Sequence, residues 1–251
     1  MSPQVDEAVV LRLTEYSETS QIMTLFSSAN GLLRLIAKGS RRGTKTRFAT
    51  GLDLLEYGEV RFVGAHGDAQ LGTLTEWVQR DTFSGLRGEA VRLYGALYAV
   101  ELVGGLTEEG DPHVELFTAL VETLRALAAG APAGSTIAGF QNDLLTSIGY
   151  VPDLQACVDC RRAVSAGQPA FFSARAGGLL CRDCEIHHVE KRRLPSRLHA
   201  TTPRTGDAYE WFVLLDYHIT HVAGRRFKTA EPLGKLMAKA ARRAGGADSQ
   251  R

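Results

Sequence analysis

Two identical Cys-x-x-Cys pairs constrain this chain more than any other feature of its sequence. Cys157 pairs with Cys160 and Cys181 with Cys184, 20 residues separate the pairs, and the sequence has no other cysteine. This is the spacing of structural zinc sites, in which four thiolates surround one ion tetrahedrally. Because such a closed shell leaves no position for water or substrate, we predict one structural Zn²⁺ and not a catalytic metal. Two disulfides or a redox dithiol are the alternatives.

The residues around the pairs predict a small zinc module, at 154–188. Pro169, Gly177 and Gly178 interrupt it and it holds few large apolar side chains, so bound metal would supply much of its stability. His187 and His188 follow the last cysteine and could replace a thiol ligand. Since four thiols are already present, we expect these two histidines to be ordinary surface residues.

Composition and the N-terminal residues predict a cytoplasmic protein. The chain has 251 residues, a formal net charge of +1 and 44% hydrophobic residues. No apolar run is long enough to cross a membrane, so no membrane partner is expected. The first residues resemble neither a signal peptide nor a transit peptide, and a reducing compartment keeps thiols available for metal.

The near-neutral total charge hides two basic zones. Residues 38–47 contain five cations and no acid, and residues 225–243 contain seven cations and one acid. Repeated cations with intervening glycines suit a repeating anion such as the nucleic acid backbone. A phosphate-binding loop for a nucleotide is not favoured, because Gly39 and Gly43 lack the spacing G-x₄-G-K-[ST]. A solvated loop without function is the alternative.

Residues 1–80 read as a DNA-binding domain made of short strands. Val9, Leu11 and Leu13 alternate at period two, and Asn30-Gly31 is a hairpin signal. The apolar phase changes at Gly58, which predicts a β-bulge. Five short strands with a bend suit an OB-fold barrel, with an open meander or an SH3-like barrel as alternatives.

Residues 81–251 show helical periodicity and predict an α-helical domain that the zinc module interrupts. Asp207 and Glu210 resemble a capping box ahead of one of these helices. The predicted fold class is therefore α+β multidomain: an N-terminal OB-fold β-barrel and a C-terminal α-helical domain interrupted by a Cys₄ zinc module.

Four motifs in order along the chain resemble the RecO family of bacterial recombinational-repair proteins. They are Tyr16–Ser20, the run Ala37–Arg42 that is similar to the family's AKGxRR signature, Leu144–Pro152 leading into the first cysteine pair, and His218–Thr229. Together they cover about residues 5–230 of the chain.

The resemblance implies a protein of DNA repair that binds single- and double-stranded DNA and anneals complementary strands. It also implies loading of recombinase onto strands coated by single-strand-binding protein, with RecR as a partner and single-strand-binding protein as a further candidate. DNA binding would place the protein on the nucleoid. The resemblance assigns DNA contact to Lys38, Arg41 and Arg42 and zinc to Cys157, Cys160, Cys181 and Cys184. Electrostatics adds Lys45, Arg47, Arg225 and Arg226 as DNA contacts.

The residues require no catalysis, so we expect a protein that is not an enzyme. Two other functions stay open at this point. One is a zinc-stabilised protein-interaction scaffold in which the basic loop has no DNA role, and the other is a metal-dependent nuclease, which would need carboxylates that converge on a divalent ion.

Overall fold

Five strands of the N-terminal part close into a barrel. The computed structural model of the chain describes residues 3–39, 52–65, 71–165, 168–195, 198 and 201–248. The strands follow one another around the barrel in the order β1-β2-β3-β5-β4, and β4 returns to β1. Their bounds are β1 (Gln4–Glu15), β2 (Gln21–Ser27), β3 (Gly31–Ala37), β4 (Tyr57–Val63) and β5 (Gly72–Asp81). The pairing of β3 with β5 is parallel, which excludes a simple meander and confirms the predicted barrel.

Two local features of the barrel follow from glycines. β2 and β3 form the predicted antiparallel hairpin, and Gly31 takes a positive φ of 65° where β3 begins. The register of β4 against β5 shifts between Tyr57 and Gly58, which confirms the predicted bulge. A Cβ at Gly58 would lie 2.6 Å from the carbonyl oxygen of Val78, so only glycine fits there.

A second bulge corrects the predicted alternation of β1. Val10 pairs with Leu25 and Arg12 with Thr24, so Leu11 is an extra residue between two ladder positions. Leu11 therefore packs toward the helices, whereas Leu13 packs against the barrel interior. The even alternation expected through Leu11 and Leu13 was wrong, because period two cannot reveal one inserted residue.

Five helices and a small sheet make up the rest of the chain that the structure describes, together with two short 3₁₀ turns. The helices are α1 (Ala90–Leu106), α2 (Val114–Ala128), α3 (Ala133–Ser147), α4 (Ala208–Ala223) and α5 (Ala230–Asp248). Asp207 caps α4 by accepting a hydrogen bond from the Glu210 amide at 2.9 Å, as the capping box predicted. Gly224, at a positive φ of 65°, ends α4.

The cysteine module lies between α3 and α4 in sequence and joins the helical core. Its strands β6 (Ala170–Ser173), β7 (Gly178–Cys181) and β8 (Arg192–Leu194) form an antiparallel sheet in the order β7-β6-β8. Phe172 of this sheet is wholly buried, and its ring lies 6.3 Å from that of Tyr217 on α4. The module is thus continuous with the helical core, while the barrel interior is a separate apolar cluster.

Tyr98, Gln141 and Asp216 form a buried polar network inside the helical core. The Tyr98 hydroxyl donates to the Asp216 carboxylate at 2.8 Å and accepts from the Gln141 amide at 2.9 Å. Burial raises the pKa of Asp216 above its ordinary value. No helix of the described ranges has the length and apolar character needed to cross a bilayer.

Candidate metal centre and nucleic-acid interface

The four cysteines that the sequence predicts as metal ligands lie close together. Their sulfur atoms all lie within 4.8 Å of one another, and none of the four is in a disulfide. The sulfurs of Cys160 and Cys181, one from each pair, are 3.8 Å apart. A tetrahedral zinc ion with Zn–S bonds of about 2.3 Å places its sulfurs about 3.8 Å from one another. The donor set therefore fits one tetrahedral ion of the zinc type.

Each of the two Cys-x-x-Cys pairs lies in a tight turn. The amide of Arg161 donates to the carbonyl of Cys157 at 2.8 Å, and the φ of Arg161 is 61°, so the chain reverses directly after the first pair. The amide of Cys184 donates to the carbonyl of Cys181 at 3.2 Å at the end of β7. The amide of Val158 in the first turn donates to the carbonyl of Leu179 in β7 at 2.8 Å, which ties the first pair to the strand that ends at Cys181.

The electrostatics of the cluster favour a cation among the sulfurs. Burial raises the pKa of the Cys157 thiol, but the amides of Cys160, Cys181 and Asp159 lower it more, to about 6. The pKa of Cys184 is raised, first by its hydrogen bond with the sulfur of Cys181. Once one thiol has lost its proton, its negative charge disfavours deprotonation of the next thiol. A bound divalent cation compensates these negative charges.

The two neighbouring histidines lie outside the sulfur cluster. His187 is exposed, and His188 contacts the Asp159 carboxylate at 2.8 Å. Within the described ranges, the four cysteines are the only group of three or more metal-ligating side chains close enough to share an ion. The described residues therefore provide no support for the carboxylate cluster that a nuclease would require.

The first basic zone is described only at its start. Lys38 is exposed in the turn directly after β3, whose outer face carries Leu32 and Arg34. The remaining predicted DNA contacts of this zone lie outside the described residues: Arg41, Arg42, Lys45 and Arg47.

The first two arginines of the second basic zone lie near different parts of the molecule. Arg225 is exposed, stacks on the ring of Phe227 at 4.5 Å and lines a groove toward the barrel. Arg226 is also exposed, and its positive charge acts on Asp216, whose pKa burial nevertheless raises, and on Glu231, whose pKa is lowered mainly by the hydrogen bond with Lys235. The structure therefore brings Arg225 to the barrel and associates Arg226 with acids of α4 and α5.

Sequence reasoning missed two cations that line the same groove, Arg12 and Arg34, whereas Lys228 of its lining belongs to the second basic zone. Arg12 and Arg34 occupy single positions in alternating strands, where a cation looks like any solvent-facing residue. Their only signal is the strand period, which places them on the outer face.

Two models of a known family match the chain. The model "Recombination protein O N terminal" matches residues 1–83, and "Recombination protein O C terminal" matches residues 87–209. The DNA repair protein RecO of Rhodopirellula baltica is 33% identical over 196 residues, which cover 78% of this chain and 68% of that protein. This chain belongs to the RecO family.

Other RecO proteins agree with this result. The DNA repair protein RecO of Anaeromyxobacter sp. (strain K) is 35% identical over 176 residues, or 70% of this chain and 68% of that protein. That of Shouchella clausii is 32% identical over 192 residues, or 76% of this chain and 72% of that protein. Membership of the RecO family connects the chain to DNA repair and recombination. Arg225 and Arg226 lie beyond the residues that the family models match.

Proposed function

We propose that this protein is a non-catalytic mediator of recombinational repair. It binds single- and double-stranded DNA, anneals complementary strands and, together with RecR, loads recombinase onto DNA coated by single-strand-binding protein. It acts in the cytoplasm, on the nucleoid when bound to DNA. Membership of the RecO family supports the repair role, and the cations of the barrel domain, residues 1–80, support the contact with DNA.

The single observation that carries the proposal is the placement of cations on an OB-type barrel. Lys38 is exposed and begins a basic run of five cations directly after β3, the strand that carries Arg34 on its outer face. Cations that neutralise phosphates release condensed counterions, and this release drives binding without regard to sequence. The same neutralisation lowers the repulsion between two strands that must anneal. The function therefore needs exposed positive charge and no bond-making chemistry.

The four cysteines hold a zinc ion in this proposal. The ion would supply folding free energy to the module and would take no part in DNA chemistry, because four thiolates close its coordination shell. Cys157 is wholly buried within the helical core, so the ion would stabilise the core from one side.

A pair of charge reversals tests the proposed DNA contact. Lys38→Glu with Arg41→Glu should weaken binding of single-stranded DNA and slow annealing of complementary strands followed by energy transfer. The slope of log affinity against log salt should become shallower by about 1.4, since each lost single-strand contact removes about 0.7. The matched control is Arg175→Glu with Arg193→Glu, an equal change of charge at two exposed positions of the cysteine module.

Two outcomes would contradict the proposal. Equal DNA affinity in wild type, the barrel variant and the control would show that the basic run is incidental. If RecR binding then persisted, the scaffold alternative would be the better account. Cleavage of labelled DNA in the presence of Mg²⁺ would contradict the non-catalytic role.

A further inference from the structure

A groove of about 870 Å³ lies between the barrel and the helical domain. One wall is the outer face of β1, β2 and β3. The other wall is the second half of α1 together with the link between α4 and α5, which contributes Arg225 and Lys228. Among these residues only Arg34 and Arg225 have been considered for DNA contact above, so most of the groove has no role yet.

The barrel wall presents cations in a row across three strands. Arg12 on β1 pairs with Thr24 on β2, and Thr24 pairs with Arg34 on β3. Neighbouring strands lie about 4.8 Å apart, so the two arginines stand about 10 Å apart with a hydroxyl between them. The bulge at Leu11 creates this row, because it turns both Leu11 and Arg12 toward the groove.

The helical wall adds two more cations. Arg225 lies over Phe227 and against Gly105 of α1, where a Cβ would come within 2.6 Å of the Phe227 ring. The side chain of Lys228 is exposed, while its amide donates to Glu101 at 2.9 Å. The Glu101 carboxylate also accepts from the amide of Thr229 at 2.9 Å, so the α4–α5 link satisfies this acid.

The floor of the groove is apolar. Leu11 and Leu32 are buried there, each residue 7% exposed, and Leu97 and Val100 of α1 line the opposite side. Phosphate gains nothing from such a floor, but the faces of nucleobases and sugars do. A duplex buries the faces of its bases and offers mainly phosphates, whereas an unpaired strand offers both.

The acidic residue Glu109 already contacts one of the cations in this row. Glu109 forms an ion pair with Arg34 at 3.7 Å, and both side chains are about half exposed. The backbone holds Glu109 there, because it forms β-bridges to Gly31 and Leu32. Its carboxylate stands where the phosphate of a bound strand would contact Arg34, and an exposed pair of this kind is weak enough to be displaced.

We propose that this groove binds a segment of single-stranded DNA, and that Glu109 is an internal competitor for Arg34. The proposal rests on the DNA-binding function proposed above and adds a surface, a strand preference and a residue that weakens binding. The phosphates contact Arg12, Arg34 and the two cations of the α4–α5 link, and the bases lie on the apolar floor. Arg12 is the cleanest probe, since within the described ranges its side chain is exposed and has no partner.

Fluorescence anisotropy with labelled oligothymidine and with a duplex of equal length, on the full chain, tests the proposal. Arg12→Ala should weaken single-strand binding by up to about fivefold and make the salt slope shallower by about 0.7, with a smaller effect on the duplex. Glu109→Gln should strengthen single-strand binding by about two- to fivefold. Controls are Arg175→Ala and Glu122→Gln, which make the same changes of charge at exposed positions outside the groove.

The outcomes separate the groove from the general function. If wild type binds DNA and Lys38→Glu with Arg41→Glu weakens it, but Arg12→Ala and Glu109→Gln match their controls, the groove proposal is wrong and the function stands. Equal losses for single strand and duplex in Arg12→Ala overturn the strand preference. If wild type binds neither probe, the function itself is wrong.

Discussion

Removal of the metal should unfold the helical domain and spare the barrel. The sulfur cluster is part of a module whose strands β6 and β7 bury Phe172, Leu179 and Leu180 in the helical core, each with at most 1% exposed. If the module opens, these three side chains lose contacts worth about 5–9 kcal/mol together. A structural zinc site contributes roughly 10–16 kcal/mol to folding. Both figures are comparable to the entire stability of a domain, about 5–15 kcal/mol.

The chain carries its own reporters for this experiment. Its two tryptophans lie in different cores: Trp77 is buried in the barrel interior and Trp211 in the helical core. Trp77→Phe leaves a reporter of the helical domain only, and Trp211→Phe leaves a reporter of the barrel only. We expect a chelator to release one zinc ion per chain, measured with a metal-sensitive dye. The emission of Trp211 should then shift to the red, whereas that of Trp77 should stay unchanged.

Re-addition of zinc is the control, because it should restore the emission of Trp211 if the loss is due to metal alone. The reasoning would be refuted if the purified protein held no metal and still unfolded cooperatively, or if chelation left the urea midpoint of the Trp211 reporter unchanged. A simultaneous loss of both reporters would show that the two cores are not separate units.

Three further predictions concern stability and are measured by urea unfolding. Burial lowers the pKa of His218, so the stability that its neutral imidazole contributes is present above about pH 6.5 and is lost as pH falls. His218→Gln should flatten this pH dependence of stability, whereas the control His187→Gln, at an exposed position, should not. Gly31→Ala should cost about 1–2 kcal/mol for the positive φ alone, and more because its Cβ would meet the backbone of Asp111. Asp207→Ala should cost about 0.5–2 kcal/mol through the lost cap of α4.

Local signals predicted much of the fold. The hairpin at Gly31, the bulge at Gly58 and the cap at Asp207 each depend on a few adjacent residues, and the structure confirms all three. The cysteine cluster was also predictable, because one tetrahedral ion demands four donors and the sequence holds four thiols in two close pairs.

Features that depend on pairing between segments far apart in the sequence were not predictable. The parallel pairing of β3 with β5 and the three-stranded sheet of the cysteine module join segments far apart or very short. The groove also escaped prediction, since it needs the bulge at Leu11, the register that aligns Arg12 with Arg34, and the approach of Arg225 from the helical domain. A run of cations is visible in sequence, but single cations that a fold brings together are not.

The salt dependence of single-stranded DNA binding tests the central claim, that cations of the barrel domain recognise a polyanion. Five cations between residues 38 and 47, each neutralising one phosphate, predict a slope of about −3.5 for log affinity against log salt. The measurement is an anisotropy titration of zinc-loaded protein with oligothymidine across a series of salt concentrations. A steep slope near that value supports the account, and an affinity that does not change with salt would contradict it.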